Sequence, residues 1–417
     1  MLANIAVPLL GIADTAIIGH RGDSAALGAI ALGGLMLSFL YWAFGFLRMG
    51  TTAQVAAASG AAADARLRGE VQRALQLGAG IGLVLLLLHS PLLALGLSLL
   101  DASDAVLAGV DDYISIRIWA APATLMTYAV LGTLIGLGRT RHLLWLQLLL
   151  NGLNLALDIL FAVVLDYGLR GIAMGTVIAE WCALAAGLYW LRGLLPKVAA
   201  AKAARGDWRQ LLNVHANLFW RTLFLLLGMM WFANAGARLG DLELAANHLL
   251  LQFISFSAFF LDGYAYVVEA QVGQARGAGQ RHRLVMVIRR TTVLAVTTAV
   301  ALATLLWSAG PWLIALLTSL PDVQSRAAEF LPWAALYVLL SCAAFQLDGL
   351  CIGLNASAPM RNATGIALVL FLLADAWLTP RYGNLGLWWA FILFVLARAL
   401  ALWPWRSALA AKLPSRT

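Results

Sequence analysis

The sequence predicts an all-α integral membrane protein: twelve transmembrane helices in two six-helix lobes, related by a pseudo-two-fold axis around a central cavity. Three observations carry the prediction. Apolar runs of membrane length recur through all 417 residues, basic residues crowd alternate loops, and the second half of the chain repeats the first.

The apolar runs come first. The chain is 62% hydrophobic and 12% charged, with a mean hydropathy of +0.85; a soluble domain carries about 25% charged residues. A helix needs about 20 apolar residues to cross a bilayer. Runs of that kind lie at about 2–20, 29–57, 74–100, 113–137, 143–165 and 169–192, then at about 212–237, 244–272, 285–318, 326–354, 363–380 and 384–405. The second, eighth and ninth are long enough to tilt or to project past the membrane.

Orientation follows from the charges between the runs. The even-numbered loops hold Arg66, Arg68, Arg73, Arg139, Arg141, Arg192, Lys197, Arg209, Arg276, Arg281, Arg283 and Arg361, among others. The odd-numbered loops hold few bases and many acids, including Asp101, Asp104, Asp111, Asp112, Asp241, Glu243 and Asp322. Basic loops stay cytoplasmic, so both termini are expected in the cytoplasm and the protein in the inner membrane. The net charge of +8 is thereby a topology signal, scattered over short loops, and implies no nucleic-acid partner.

The repeat is registered at five places. "HRGDSAALGAIALG" from His20 matches "RLGDLELAANHLLL" from Arg238, and "AQVAAASGA" from Ala53 matches "AQVGQARGA" from Ala270. "LGTLIGLG" from Leu131 matches "DGLCIGLN" from Asp348, "DYGLRGIA" from Asp166 matches the stretch from Arg381, and Asp158 falls opposite Asp375. The shifts are 218, 217, 217, 215 and 217 residues. Both copies hold six spans, an even number, so the halves run parallel. Residues 1–194 are read as the N-lobe, 195–210 as a cytoplasmic linker, and 211–417 as the C-lobe and tail.

Ionisable side chains at membrane depth are costly and mark functional candidates. Asp14 lies on the first span; Asn154 and Asp158, four apart and so on one helix face, lie on the fifth; Thr176 and Glu180 repeat that spacing on the sixth. In the second half, Asp262 and Glu269 share a face of the eighth span and Asp348 lies on the tenth. The first set could hold a proton or Na⁺; Asp262, Glu269 and Asp348 are read as candidates for a substrate cavity. Glu180 and Glu269 could equally be structural partners of Arg117 or Arg221. Asp375 and Arg398 are expected to reach the membrane interfaces. The repeat does not keep the polar set: Asp14 falls opposite Phe232 and Asn154 opposite Phe371.

Cys182, Cys342 and Cys351 lie within apolar spans without a CxxC pair, and are read as packing residues. The opening residues have no basic n-region or small-residue cleavage site, so no signal peptide is expected. No GxSxG, HExxH or P-loop occurs, so neither an enzyme nor an ATP-driven pump is expected, and no cofactor or resident metal.

"NIAVPLLGIADTAIIGHRGD", "DGYAYVVEAQVGQARGAG" and "FQLDGLCIG" followed by "MRNA" resemble the multidrug and toxic compound extrusion (MATE) family, in its DinF-like branch. The three motifs fall in order on spans 1, 8 and 10, and the similarity runs over nearly the whole chain. The resemblance implies two lobes in a V and export of amphipathic, often cationic, small molecules against inward H⁺ or Na⁺ flow, by a monomer in the lipid bilayer. It also implies that Asp14, Asn154, Asp158 and Thr176 form the cation site of the N-lobe. The acid that another branch carries on its seventh helix has no counterpart; Arg221 is the nearest ionisable residue. Two alternatives stand beside it. A lipid-linked oligosaccharide flippase of the same superfamily would need a basic ring for pyrophosphate. An integral-membrane transferase would need a substrate domain, for which these loops are too short.

Overall fold

The computed structural model describes residues 24–98, 102–197 and 208–404. The first span, and with it Asp14, lies outside the described residues. Within them the chain is helical almost throughout, and eleven helical segments are long and apolar enough to cross a membrane. They correspond to spans 2–12. The described residues divide into two compact units, the first up to residue 197 and the second from Trp208 on, with Gly60–Ala62 grouped in the second.

In the first unit, α1 (Ser24–Ala43) and α2 (Phe46–Gly60) make the second span, and α3 (Asp64–Leu87) with α4 (His89–Ser98) the third. α5 (Asp104–Arg117) and α6 (Ala121–Gly136) form the fourth through a 3₁₀ turn, with Pro122 in the first turn of α6, where its missing N–H costs nothing. α7 (Thr140–Asp158) and α8 (Gly168–Leu194) are the fifth and sixth. α3 starts ten residues before the expected edge. Arg66 and Arg73 lie 3.7 and 2.9 Å from Glu70, one turn away on either side, so this charged turn stays helical. Small residues let backbones approach, as they do between membrane helices. A side chain on Gly78 or Gly82 would strike the backbone of Leu125 or Pro122 on α6, and one on Gly132 the carbonyl of Arg48 on α2. Val55, Val71, Val130, Leu134, Leu146 and Leu184 fill the core between these helices.

The second unit holds α9 (Trp208–Leu239), α10 (Asp241–Gly277), α11 (Arg281–Leu317), α12 (Pro321–Gly353), α13 (Ser357–Tyr382) and α14 (Asn384–Leu402). α10 and α11 have 37 residues each, about 55 Å of helix, so both outrun the hydrocarbon core. Trp307, Trp312, Leu316 and Leu373 are each more than 60% exposed, which suits side chains that meet lipid. The core is aromatic. Phe391 stacks on Tyr337 with ring centroids 4.5 Å apart and meets Phe232 at 4.3 Å.

The repeat is visible in packing as well as in sequence. Gly171 on α8 lies against the backbone of Phe161 and Ala162, and Gly386 on α14 lies against that of Leu378 and Thr379. Gly168 and Gly383, three residues earlier in each copy, both take a positive φ (53° and 58°), which glycine adopts most readily.

Candidate functional site

α7 and α8 pack along one another and bring the polar residues of the fifth and sixth spans together. Asn154 Nδ2 donates to Thr176 Oγ1 at 2.9 Å, and that hydroxyl donates to the Ile172 carbonyl at 3.0 Å. With its amide nitrogen so engaged, Asn154 Oδ1 is buried without a donor among the described residues. An orphaned acceptor in a protein interior calls for an explanation, and a hard cation or the O–H of a protonated carboxyl group is one.

Asp158 lies one turn further along α7 and is fully buried. It ends the α-helix: the next six residues, Ile159–Val164, form a π-helical turn, a distortion frequent at functional sites. Opposite it on α8 stands Gly175, where a methyl group would collide with Asp158 Oδ1. The carboxylate thus occupies the space of a missing side chain. Sequence reasoning missed both Gly175 and the π turn, although Gly171 and Gly175, four apart, carry the small-residue spacing of a close helix contact.

The matching place in the second unit is closed by aromatic rings. Asn154 corresponds to Phe371, and the local shift of 215 carries Thr176 onto Phe391. Phe371 and Phe391 are fully buried, with centroids 5.9 Å apart, and Phe232, the counterpart of Asp14, completes the group. Asp375, the counterpart of Asp158, accepts hydrogen bonds from Trp231 Nε1 at 2.8 Å and Thr379 Oγ1 at 2.6 Å. It is 6% exposed, so partners on α9 and α13 hold it inside the protein.

Three other candidates lie apart from this cluster. Asp348 on α12 receives Arg221 from α9 and Arg398 from α14 on the same oxygen, Oδ2, the second at 2.7 Å. All three side chains are under 10% exposed. Arg398 therefore does not snorkel, and Arg221 pairs with Asp348 and not with a glutamate. Two guanidiniums on one carboxylate leave the group a positive charge overall, so Asp348 offers nothing to a cation. On α10, Asp262 is half-buried and Glu269 is 2% exposed. Glu180 faces Arg117 and the Thr124 hydroxyl, the structural partnership its sequence position allowed.

Comparison with known proteins agrees with this duplicated, helical architecture. The MatE family model matches residues 1–160 and again 218–377, the same displacement of 217 that the sequence repeat shows. DNA damage-inducible protein F of Escherichia coli K12 is 36% identical over 407 residues, covering 96% of this chain and 88% of that protein. A probable multidrug resistance protein NorM of Pseudomonas syringae pv. tomato is 26% identical, over 96% and 91% of the two chains. Among solved structures, the outward-facing conformation of a multidrug resistance MATE family transporter of the MOP superfamily superposes with a TM-score of 0.91 at 16% identity, covering 100% of this chain and 95% of that one. With both halves matched and a relative of this identity along nearly its full length, the chain belongs to the MatE family of membrane transporters.

Proposed function

We propose that this protein is a secondary antiporter of the inner membrane, exporting amphipathic cationic compounds in exchange for H⁺ or Na⁺ bound at Asp14, Asn154, Asp158 and Thr176. The observation that carries the reading is the contrast between the two copies of one site. Where the C-lobe seals the position with Phe391 set against both Phe232 and Phe371, the N-lobe keeps Asn154, Thr176 and a buried carboxylate. The repeat sets Asp14 opposite Phe232, which is why Asp14 is assigned to the same site. Two carboxylates and an unsatisfied amide oxygen are the donors a small hard cation or a shared proton needs.

Exchange then follows from linkage. Ion and drug must stabilise different conformations, because a ligand with equal affinity for both shifts nothing. Neutralising the site from outside lets the first span repack, near Pro8 or Gly11, and favours release of the drug; loss of the ion inside resets the carrier. Asp262 and, two turns further along, Glu269 are proposed to attract cationic substrates along α10. Asp348 we assign to holding the C-lobe together, because its charge is already more than neutralised. The flippase reading is disfavoured on the same ground: the buried arginines Arg221 and Arg398 are engaged with Asp348 and are not disposed as a ring for pyrophosphate.

Everted membrane vesicles test the function. Imposed pH or Na⁺ gradients should drive uptake of a cationic dye by wild type, and Asp14→Asn, which mimics the neutralised site, should insert normally and take up none. Uptake by Asp14→Asn at the wild-type rate would remove Asp14 from the mechanism. The orientation is checked by reporters at Ala201 and at the C-terminus, both expected in the cytoplasm; an external Ala201 would overturn it.

A further inference from the structure

The first unit carries a second polar feature that the transport site does not use. Where α8 ends, the chain turns back along the first turns of α3, and Arg68 Nη1 donates to the Pro196 carbonyl at 3.2 Å. This contact walls one side of a pocket of about 320 Å³ between α3 and α8. Its rim carries three cations, Arg68, Arg192 and Lys197, and its floor is apolar, with Leu75, Leu188 and Leu191. No acid lines it. The neighbouring Glu70 is engaged by Arg66 and Arg73, so it does not neutralise the rim.

The position sets the ligand's chemistry. Both helices cross the membrane and both end here, Asp64 opening α3 and Leu194 closing α8, so the pocket lies where hydrocarbon gives way to headgroups. Arg192 and Lys197 are exposed, and Arg68 partly so. A free inorganic anion would gain nothing from the leucine floor, and a plain acyl chain nothing from the rim. We propose that this pocket binds an anionic phospholipid, its phosphodiester among Arg68, Arg192 and Lys197 and the start of its acyl chains on Leu75, Leu188 and Leu191. Basic pockets between membrane helices bind such headgroups.

The test uses the full-length protein purified in detergent, with bound lipid counted by native mass spectrometry. Phosphatidylglycerol, phosphatidylcholine and inorganic phosphate are the probes. The variant is Arg192→Gln with Lys197→Gln, whose side chains are exposed and carry no hydrogen bond or ion pair among the described residues. The control is Arg289→Gln with Arg290→Gln, exposed on α11. Wild type and control should retain phosphatidylglycerol over phosphatidylcholine. The variant should lose that retention by about 25-fold, at roughly fivefold for each of the two cations removed. Millimolar inorganic phosphate should not displace the lipid. Undiminished retention by the variant would overturn the proposal. So would an equal loss in the control, which would mean unspecific surface charge, or displacement by phosphate, which would mean a free-anion site.

Discussion

Asp348→Ala should destabilise the C-lobe by about 3–5 kcal/mol, the cost of removing one partner from a buried ion cluster. The substitution strands Arg221 on α9 and Arg398 on α14, each under 10% exposed, two helices that their shared carboxylate now ties to α12. Thermal unfolding in detergent, followed by tryptophan fluorescence, reads the loss. Because a variant this damaged could fail for many reasons, a second one isolates the charge. Replacing all three residues together, as Arg221→Met, Asp348→Leu and Arg398→Met, leaves nothing unpaired and should recover most of the stability. If Asp348→Ala melts with wild type, or the triple variant is the worse of the two, the cluster does not hold the lobe in this way.

The largest functional effect is expected at Asp158, against a matched control. Asp158→Asn keeps the shape that Gly175 accommodates and removes the charge, so gradient-driven dye transport should fall to that of empty vesicles. Asp375→Asn makes the same change at the repeat-equivalent position. There Asp375 Oδ2 accepts from Trp231 and Oδ1 from Thr379; an asparagine can accept from Trp231 through its oxygen and donate from its amide nitrogen to the Thr379 hydroxyl, which can also accept, so transport should stay near wild type. Equal loss in both would show that the carboxylates serve packing, and would deny the N-lobe its special part.

The spans were legible because the bilayer imposes one strong rule, a run of about 20 apolar residues for each crossing, and the duplication because it survives in short motifs. The edges were less so. α3 begins early because Glu70 has a basic partner one turn away on either side, and hydropathy counts those charges without seeing them pair. The fates of Asp375 and Arg398 were hidden for a different reason. Their partners lie 144 and 50 residues away in sequence, and only the fold brings them close. Asn154, Asp158 and Thr176 could be read from helical spacing and a family resemblance. The π turn after Asp158 and the fit of its carboxylate against Gly175 could not, since both depend on how α7 and α8 meet.

The central claim is that the ion held at the N-lobe site is the one the drug displaces. The direct measurement is ion release when dye binds the purified protein, read as a pH change in weak buffer and, separately, as loss of bound radioactive Na⁺. Wild type is predicted to release one of the two ions in proportion to dye bound, and Asp158→Asn to bind dye and release neither. Dye binding by wild type without release of either ion, or the same release from Asp158→Asn, would contradict the account.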